Sequence, residues 1–378
     1  MKKEILLLIL IFLILSVVFL IFIDVGKRNM TNPQLMQETK SYSFSSVFSG
    51  SSHFLAIKDD STLWAWGYNE YGQLGLGDEE NKDIPSQVSE EGDWELAAGG
   101  DFHTLAIKKD GTLWAWGLNE QGQLGLGDDK NRNIPTQIGE DSDWGKIFAG
   151  KFTSFALKED GTLFAWGYNE YEQLGLGDKE NRDIPTQVGK QSDWKEVSAG
   201  DLHTLALKED GTLWAWGAHG YGQLGLGLLS DTSNLNTPSQ VGEDVWKSIA
   251  AGGIHSLGIK EDGTLWAWGD DRFGQLGLDS DPETNSYLNP QKVGLFTDWK
   301  ALESKGIQSF GIREDNTLWA WGNNKQGQLG TGDTENRTTM ERVGEDNNWK
   351  MVTTGNYFTL GLKTDGTLWL WGGIEETK

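Results

Sequence analysis

Lys109-Asp110-Gly111-Thr112-Leu113-Trp114-Ala115-Trp116-Gly117 is the sharpest copy of a motif that this chain carries seven times. Its second tryptophan falls at Trp66, Trp116, Trp166, Trp216, Trp268, Trp321 and Trp371, giving spacings of 50, 50, 50, 52, 53 and 50 residues. Self-similarity at that period marks an array or a propeller. Asp110-Gly111 is the pair favoured in a two-residue type I′ turn, where both central positions take positive φ. A tight β-hairpin is therefore expected, with residues 103–107 and 112–116 as its strands. Alternation places Trp114 and Trp116 on one face, Leu113 and Ala115 on the other. Neither face is polar, so each hairpin must be covered on both sides, as between the blades of a propeller.

Two further segments complete each unit. A tryptophan-led run such as 194–200 precedes the hairpin, and a proline-led strand such as Ile184-Pro185-Thr186-Gln187-Val188 follows it. Proline cannot donate to a ladder, so that strand belongs on the outer edge. The expected fold is all-β: a seven-bladed propeller of four-stranded blades. A fourth-strand segment follows only six hairpins, because the chain stops soon after Trp371. Asn32-Pro33-Gln34-Leu35-Met36 resembles Thr237-Pro238-Ser239-Gln240-Val241, and Phe44 stands nine residues before His53 as Trp94 does before His103. Residues 33–37 are thus expected to supply the fourth strand of the last blade and close the ring, which removes exposed edges.

A length of 378 residues would suit two or three ordinary domains, but the repeat implies one closed domain. Formal net charge is −24. A field of that sign repels phosphate backbones, so nucleic acid is not an expected partner. No cysteine is present, which excludes disulfides, thiol catalysis and a lipoprotein anchor. Residues 5–23 contain no charge and would make a helix about 28 Å long at about 1.5 Å per residue. The run is longer than the apolar region of a cleaved signal peptide and ends in Phe22-Ile23-Asp24-Val25-Gly26-Lys27-Arg28, a poor cleavage site. It reads as an uncleaved single-pass anchor in a lipid bilayer, with the amino terminus inside and the propeller outside the cytoplasm. The expected organisation is a tail at 1–4, a signal-anchor helix at 5–23, a linker at 24–31, the propeller at 32–373 and a tail at 374–378.

The pattern Gly-Asp-Leu-His-Thr-Leu-Ala-Leu-Lys-Glu-Asp-Gly-Thr-Leu-Trp-Ala-Trp-Gly at 200–217, followed by Gly-Gln-Leu-Gly-Leu-Gly at 222–227, resembles the regulator of chromosome condensation repeat. The likeness covers about Pro33 to Gly372 and implies a seven-bladed propeller. Members of that family act in unrelated ways, among them as an exchange factor for a nuclear GTPase, a plant ultraviolet-B receptor and a bacterial β-lactamase inhibitor. Fold alone does not choose among them. The receptor's Gly-Trp-Arg-His-Thr repeats are replaced here by Gly100-Asp101-Phe102-His103-Thr104 and Gly200-Asp201-Leu202-His203-Thr204, which argues against photoreception. The exchange factor uses a projecting hairpin, whereas insertions here do not exceed three residues.

All nineteen tryptophans are repeat residues. Trp64, Trp66, Trp114, Trp116, Trp166, Trp214, Trp216, Trp266, Trp268, Trp319, Trp321, Trp369 and Trp371 are read as inter-blade core. His53, His103, His203 and His255 share one repeat position, filled elsewhere by Thr153, Gln308 and Phe358, and are read as structural hydrogen-bonding groups too far apart to share a metal. Gly72-Gln73-Leu74-Gly75-Leu76-Gly77 lacks the following helix of a phosphate cradle. Asp78-Glu79-Glu80-Asn81 and its copies are read as acidic turns rather than calcium loops. Neither catalytic residues, metal nor cofactor is expected. The places where one copy departs from its sisters are the loops 228–237 and 279–289, with Leu228, Leu229, Leu235, Tyr287 and Leu288 turned towards solvent, and Lys305 in place of a glycine. These six are the candidate partner-binding residues.

The sequence therefore predicts a monomeric, membrane-anchored scaffold that binds another protein through its loop faces and is not an enzyme. Two alternatives are a regulator resembling a guanine nucleotide exchange factor and a lyase or glycosidase with a site in the central funnel near Asp101, Lys151 and Asp201.

Overall fold

In the computed structural model, residues 44–90, 92–227, 234–280 and 283–373 are described, all within the compact unit Gln34–Gly373. The expected anchor, linker and closing strand 33–37, with Leu228 and Leu229, lie outside the described residues.

Each repeat folds as an antiparallel meander running outwards from the axis. In blade one, Phe44–Ser49 pairs with His53–Lys58, that strand with Leu63–Gly67, and that with the proline-containing Lys82–Gln87. The same order recurs from blade to blade. Blades four and five share one 17-residue strand, Leu235–Ala251, whose first half is the outer strand of one and whose second half is the inner strand of the next. The connection there is one residue shorter than elsewhere and stays extended. In blade seven the described strands are Trp349–Thr354, Phe358–Lys363 and Leu368–Gly372.

The Asp-Gly hairpin differs in detail from the expected two-residue turn. Gly111 N donates to Lys108 O at 2.9 Å, Lys108 N donates to Thr112 O at 3.1 Å, and Gly111 takes φ +76°. Three residues, 109–111, therefore span the strands, in a type I turn followed by a left-handed glycine. Asp110 does not take positive φ; its carboxylate instead accepts Thr112 N and Oγ1 at 3.0 and 2.6 Å. That capping is why the Asp-Gly-Thr order matters.

The two tryptophans of the motif part company. Trp116, Trp166, Trp216, Trp268 and Trp321 are wholly buried between blades. Burying each indole contributes on the order of 2–3 kcal/mol. The first tryptophans, Trp64, Trp114, Trp214, Trp266, Trp319 and Trp369, are only half-buried. Their indole N–H donates to the threonine two residues earlier, as Trp114 does to Thr112 at 2.9 Å. On their other side lies the repeat lysine. Lys108 Nζ stands 5.0 Å from the Trp94 ring, 4.7 Å from the Trp114 ring and 3.2 Å from Asp93. Its aliphatic stem fills the gap between two indoles while the ammonium reaches a carboxylate. Lys208, Lys260 and Lys363 repeat this clamp.

Blade one packs directly on blade seven. Phe44, Val47, Phe54, Ala56 and Trp66 form one buried cluster with Leu360, Leu362 and Leu368. Ser49 Oγ lies 2.7 Å from Thr353 Oγ1 and donates to Thr354 O at 2.9 Å. The ring is therefore closed among the described residues.

Candidate functional site

The elements that hold neighbouring blades together meet near the axis, and they explain the two most constant repeat segments. Gln73 O, in the Gly-Gln-Leu-Gly loop of blade one, accepts two bonds from blade two: Trp116 Nε1 at 2.9 Å and Thr104 Oγ1 at 2.9 Å. Gly75 permits this approach, since a Cβ there would stand 2.7 Å from Trp116 Nε1. The same pairing of indole and glutamine carbonyl joins the next five blades in turn, through Trp166, Trp216, Trp268, Trp321 and Trp371. The loop is thus an inter-blade fastener and not an anion cradle.

The histidines extend the same relay. His203 Nε2 lies 2.9 Å from Ser256 Oγ, and Ser256 Oγ donates its only proton to Gln223 O at 2.7 Å. The imidazole must therefore be the donor, which assigns the Nε2–H tautomer. His53, His103 and His255 make equivalent contacts with Thr104, Ser154 and Ser309. All four rings are fully buried, and burial pushes each pKa down to about 3, helped at His53 and His103 by the Lys305 charge. They are neutral structural locks. At the seam between blades seven and one the described residues include no glutamine loop. There Phe358 occupies the histidine position and Phe54 the hydroxyl position, with ring centroids 6.3 Å apart. An apolar contact replaces the polar relay as a unit.

At the mouth of the axis the structure brings together Asp101, Lys151 and Asp201, as the sequence suggested, and adds Lys305. Asp101 is 5% exposed and receives the Ser51 hydroxyl. Desolvation raises its pKa, partly offset by Lys151 and Lys305. Lys151 Nζ lies 3.8 Å from Asp201 Oδ2, and that carboxylate raises the lysine's pKa. Lys305 leaves blade six and crosses the channel to donate to Gly99 O of blade two at 3.1 Å. It can do so because Gln308, not histidine, stands beside it. At Gly50, Gly100 and Gly252 the first atom a Cβ would meet belongs to the histidine ring three residues on. Below it Glu303 accepts from Thr353 Oγ1 at 3.3 Å, and desolvation lifts its pKa to about 7. The cluster is mutually compensated, a set of charges that cross-braces the ring.

The other sequence candidates fall differently. Lys305 points into the axial channel rather than to an outer surface. Leu235 and Tyr287 are half-buried and packed on the cores of blades four and five, and Tyr287 donates to Ser280 Oγ at 3.0 Å. Leu288 lies against the backbone of Gly222, where a Cβ would be 2.7 Å from its Cα. Leu235 and Tyr287 open the outer strands with their side chains packed inwards, and Leu288 is half-buried beside them. The acidic turn 78–81 is internally satisfied: Asp78 accepts from Asn69 Nδ2 at 3.1 Å, Glu80 N at 3.0 Å and Lys82 Nζ at 2.9 Å. His219 takes the place of Asn69 in its blade, with Nε2 lying 3.2 Å from Gly227 O.

What sequence reasoning missed is the face around the axial mouth. The first and third loops of each blade end there, and the second residue of the axial loop abuts the first residue of the outer one. Phe102 packs on Tyr68 and Tyr71 with centroids 5.8 and 5.2 Å apart. Tyr221, Phe273 and Tyr357 are 39%, 39% and 42% exposed on the same face. The signal was present as aromatic residues in loops where the repeat does not need them.

A closed ring of seven antiparallel blades, bonded blade to blade and charged at its axial mouth, defines a β-propeller. The pattern of the Regulator of chromosome condensation (RCC1) repeat matches residues 60–107, 110–157, 160–207, 210–259, 262–305 and 315–362. The chain belongs to the RCC1 repeat family. Solved structures agree in fold: Prp20p of Saccharomyces cerevisiae superposes with a TM-score of 0.74 at 23% identity, over 88% of this chain and 83% of that one. Human WBSCR16 gives 0.75 at 21% identity, over 89% and 88%. Among curated proteins, the ultraviolet-B receptor UVR8 of Arabidopsis thaliana is 34% identical over 97 residues, which is 25% of this chain and 21% of the receptor. The mouse E3 ubiquitin-protein ligase HERC2 is 34% identical over 91 residues, 23% of this chain and 2% of the ligase. This chain thus matches about a fifth or less of the length of these relatives.

Proposed function

We propose that this protein is a membrane-anchored propeller scaffold that binds another protein through the loop face around its axial mouth. One observation carries the reading: Tyr221, Phe273 and Tyr357 stand more than a third exposed on that face, held by a rigid ring. Partly exposed aromatic side chains on fixed loops are the usual anchors of protein recognition. The relatives fit this use of the fold, since yeast Prp20p was crystallised in a study of its binding to Gsp1p and histones. The uncharged run 5–23 supports the anchor, and Lys2 and Lys3 favour an external propeller.

The test is a photo-crosslinking amino acid placed at Phe273 of the full chain in its native membrane, with Asp210 on the opposite face as control. A discrete protein adduct at Phe273 and none at Asp210 is expected. Equal adducts at both, or none at either, would overturn the assignment of the face. A carboxy-terminal reporter tests the anchor, with activity expected outside the cytoplasm.

A further inference from the structure

Where the outer strand of one blade hands over to the inner strand of the next, a repeat residue and an indole meet. At the first handover the Trp94 indole N–H donates to Ser89 Oγ at 3.0 Å. The position of Ser89 is glycine at every later handover: Gly139, Gly189, Gly242, Gly294 and Gly344. The indoles that follow, Trp144, Trp194, Trp246, Trp299 and Trp349, each bury an Nε1–H that has no partner among the described residues. A buried donor without an acceptor calls for a physical explanation. Side chains of the protein itself crowd two of these glycines, Gln191 at Gly189 and Met340 at Gly294. Beside Gly139, Gly242 and Gly344 a Cβ would meet nothing within 4 Å.

At Gly242 the open space belongs to a larger recess. The connection 243–245 is one residue shorter than 140–143 or 345–348. Beside it, between blades four and five, lies a cavity of about 400 Å³ whose walls include Gln240, Asp244, Trp246, Lys260, Trp266 and Asn289. The Trp94 N–H is aimed at Ser89, and the same direction from Trp246 leads to Gly242, which also lines the cavity. Asn289 stands where blades one to three carry Ile84, Ile134 and Ile184, so an amide replaces an apolar wall. Asn289 and Gln240 are exposed, and Trp266 is half-buried. Lys260 and Asp244, the two charged residues of the lining, are paired at 2.8 Å.

We propose that this recess is a binding site for a neutral sugar ring, distinct from the protein-binding face, since its lining includes none of Tyr221, Phe273 and Tyr357. A hydroxyl oxygen of the sugar accepts from Trp246 Nε1, as Ser89 Oγ accepts from Trp94. The side-chain amides of Asn289 and Gln240 each offer a donor and an acceptor to the neighbouring hydroxyls. Trp266 adds aromatic surface for the C–H groups of the ring, and the cavity is of the size that holds small ligands. Neutrality follows from the charges: Asp244 already compensates Lys260, and a chain of formal charge −24 repels an anion.

The probes are methyl β-D-glucoside and methyl N-acetyl-β-D-glucosaminide, with methyl β-D-glucuronide as the charged counterpart. Each is titrated into the full nitrogen-15-labelled chain in phosphocholine micelles, and the indole N–H resonances are followed by NMR. The signals of Trp144, Trp246 and Trp349 are assigned from the corresponding phenylalanine variants. A saturable shift at Trp246 is expected with at least one neutral glycoside, while Trp144 and Trp349 stay in place. Asn289→Ile, which installs the residue of the sister blades, should weaken binding about fivefold; Thr339→Ile, at the same position of blade six, should change it less than about twofold. Both variants should melt with the parent, which separates loss of the site from loss of the fold. The proposal is overturned if neither neutral glycoside shifts Trp246, if the three indoles move together, if the glucuronide binds as tightly, or if the two isoleucine variants weaken binding equally.

Discussion

His203→Gln isolates one link of the inter-blade relay. A free imidazole titrates near 6.5, while burial alone holds His203 at about 3, with no charged neighbour contributing. The depressed value means that the folded state favours the neutral ring. The associated stability is fully present above 6.5 and is lost as the pH falls through the window from 6.5 to 3, because only the unfolded chain takes up the proton. Between pH 8 and pH 5 one such histidine costs about 2 kcal/mol, with a limiting slope of about 1.4 kcal/mol per pH unit. Four histidines act in this direction. Glu196 and Glu303, lifted to about 7 by desolvation, act oppositely, since their protonation in the fold adds stability as the pH falls below 7. The total is therefore partly compensated, and a single substitution reads more cleanly than the parent's pH profile. Glutamine is the substitution the chain itself uses: Gln308 Nε2 donates to Thr354 Oγ1 at 3.0 Å from the equivalent position. Urea unfolding of His203→Gln at pH 8 should show a loss of at most about 1 kcal/mol. The difference in unfolding free energy between pH 8 and pH 5 should shrink by about 2 kcal/mol relative to the parent. An unchanged difference would refute the claim that His203 is buried neutral as a donor to Ser256.

Three other outcomes follow from the same geometry. Gly125→Ala forces a Cβ to 2.8 Å from Trp166 Nε1 at φ +70° and should cost about 2–4 kcal/mol in denaturant titrations. Gly139→Ala, at φ +62° with nothing within 4 Å, should cost only about 1 kcal/mol, so equal losses would mean that the fastener is not the reason for the glycine. Lys305→Gly removes the strut across the channel, and in a double-mutant cycle with Asp101→Asn it should show a coupling of about 1 kcal/mol or more, whereas strict additivity would show that the ammonium does not stabilise Asp101. Finally, if residues 33–37 complete blade seven, the register Ala65↔Ser86 transfers to Leu370 and Gln34. Gln34→Cys with Leu370→Cys, in a chain that has no other cysteine, should then form a disulfide under mild oxidation, while Gln34→Cys with Leu96→Cys should not.

The repeat period, the apolar alternation of Leu113 to Trp116 and the proline on the outer strand of five blades determined the fold without coordinates, because each is a local rule restated from copy to copy. Phe54 and Phe358 were equally legible as departures, but their meaning was not. Only the ring shows that they face each other across the seam between blades seven and one, where among the described residues an apolar pair stands in place of histidine and hydroxyl together. Lys305 illustrates the limit most plainly. In sequence it is a glycine position gone astray and reads as surface, whereas its partner, Gly99, lies 206 residues earlier in the chain. The turn at Asp110-Gly111 was recognisable from composition, while its three-residue form depended on which backbone groups closed it. Local chemistry names the elements; which side chains confront one another across blades depends on the closure of the ring, and closure is a property of the whole chain rather than of any one repeat.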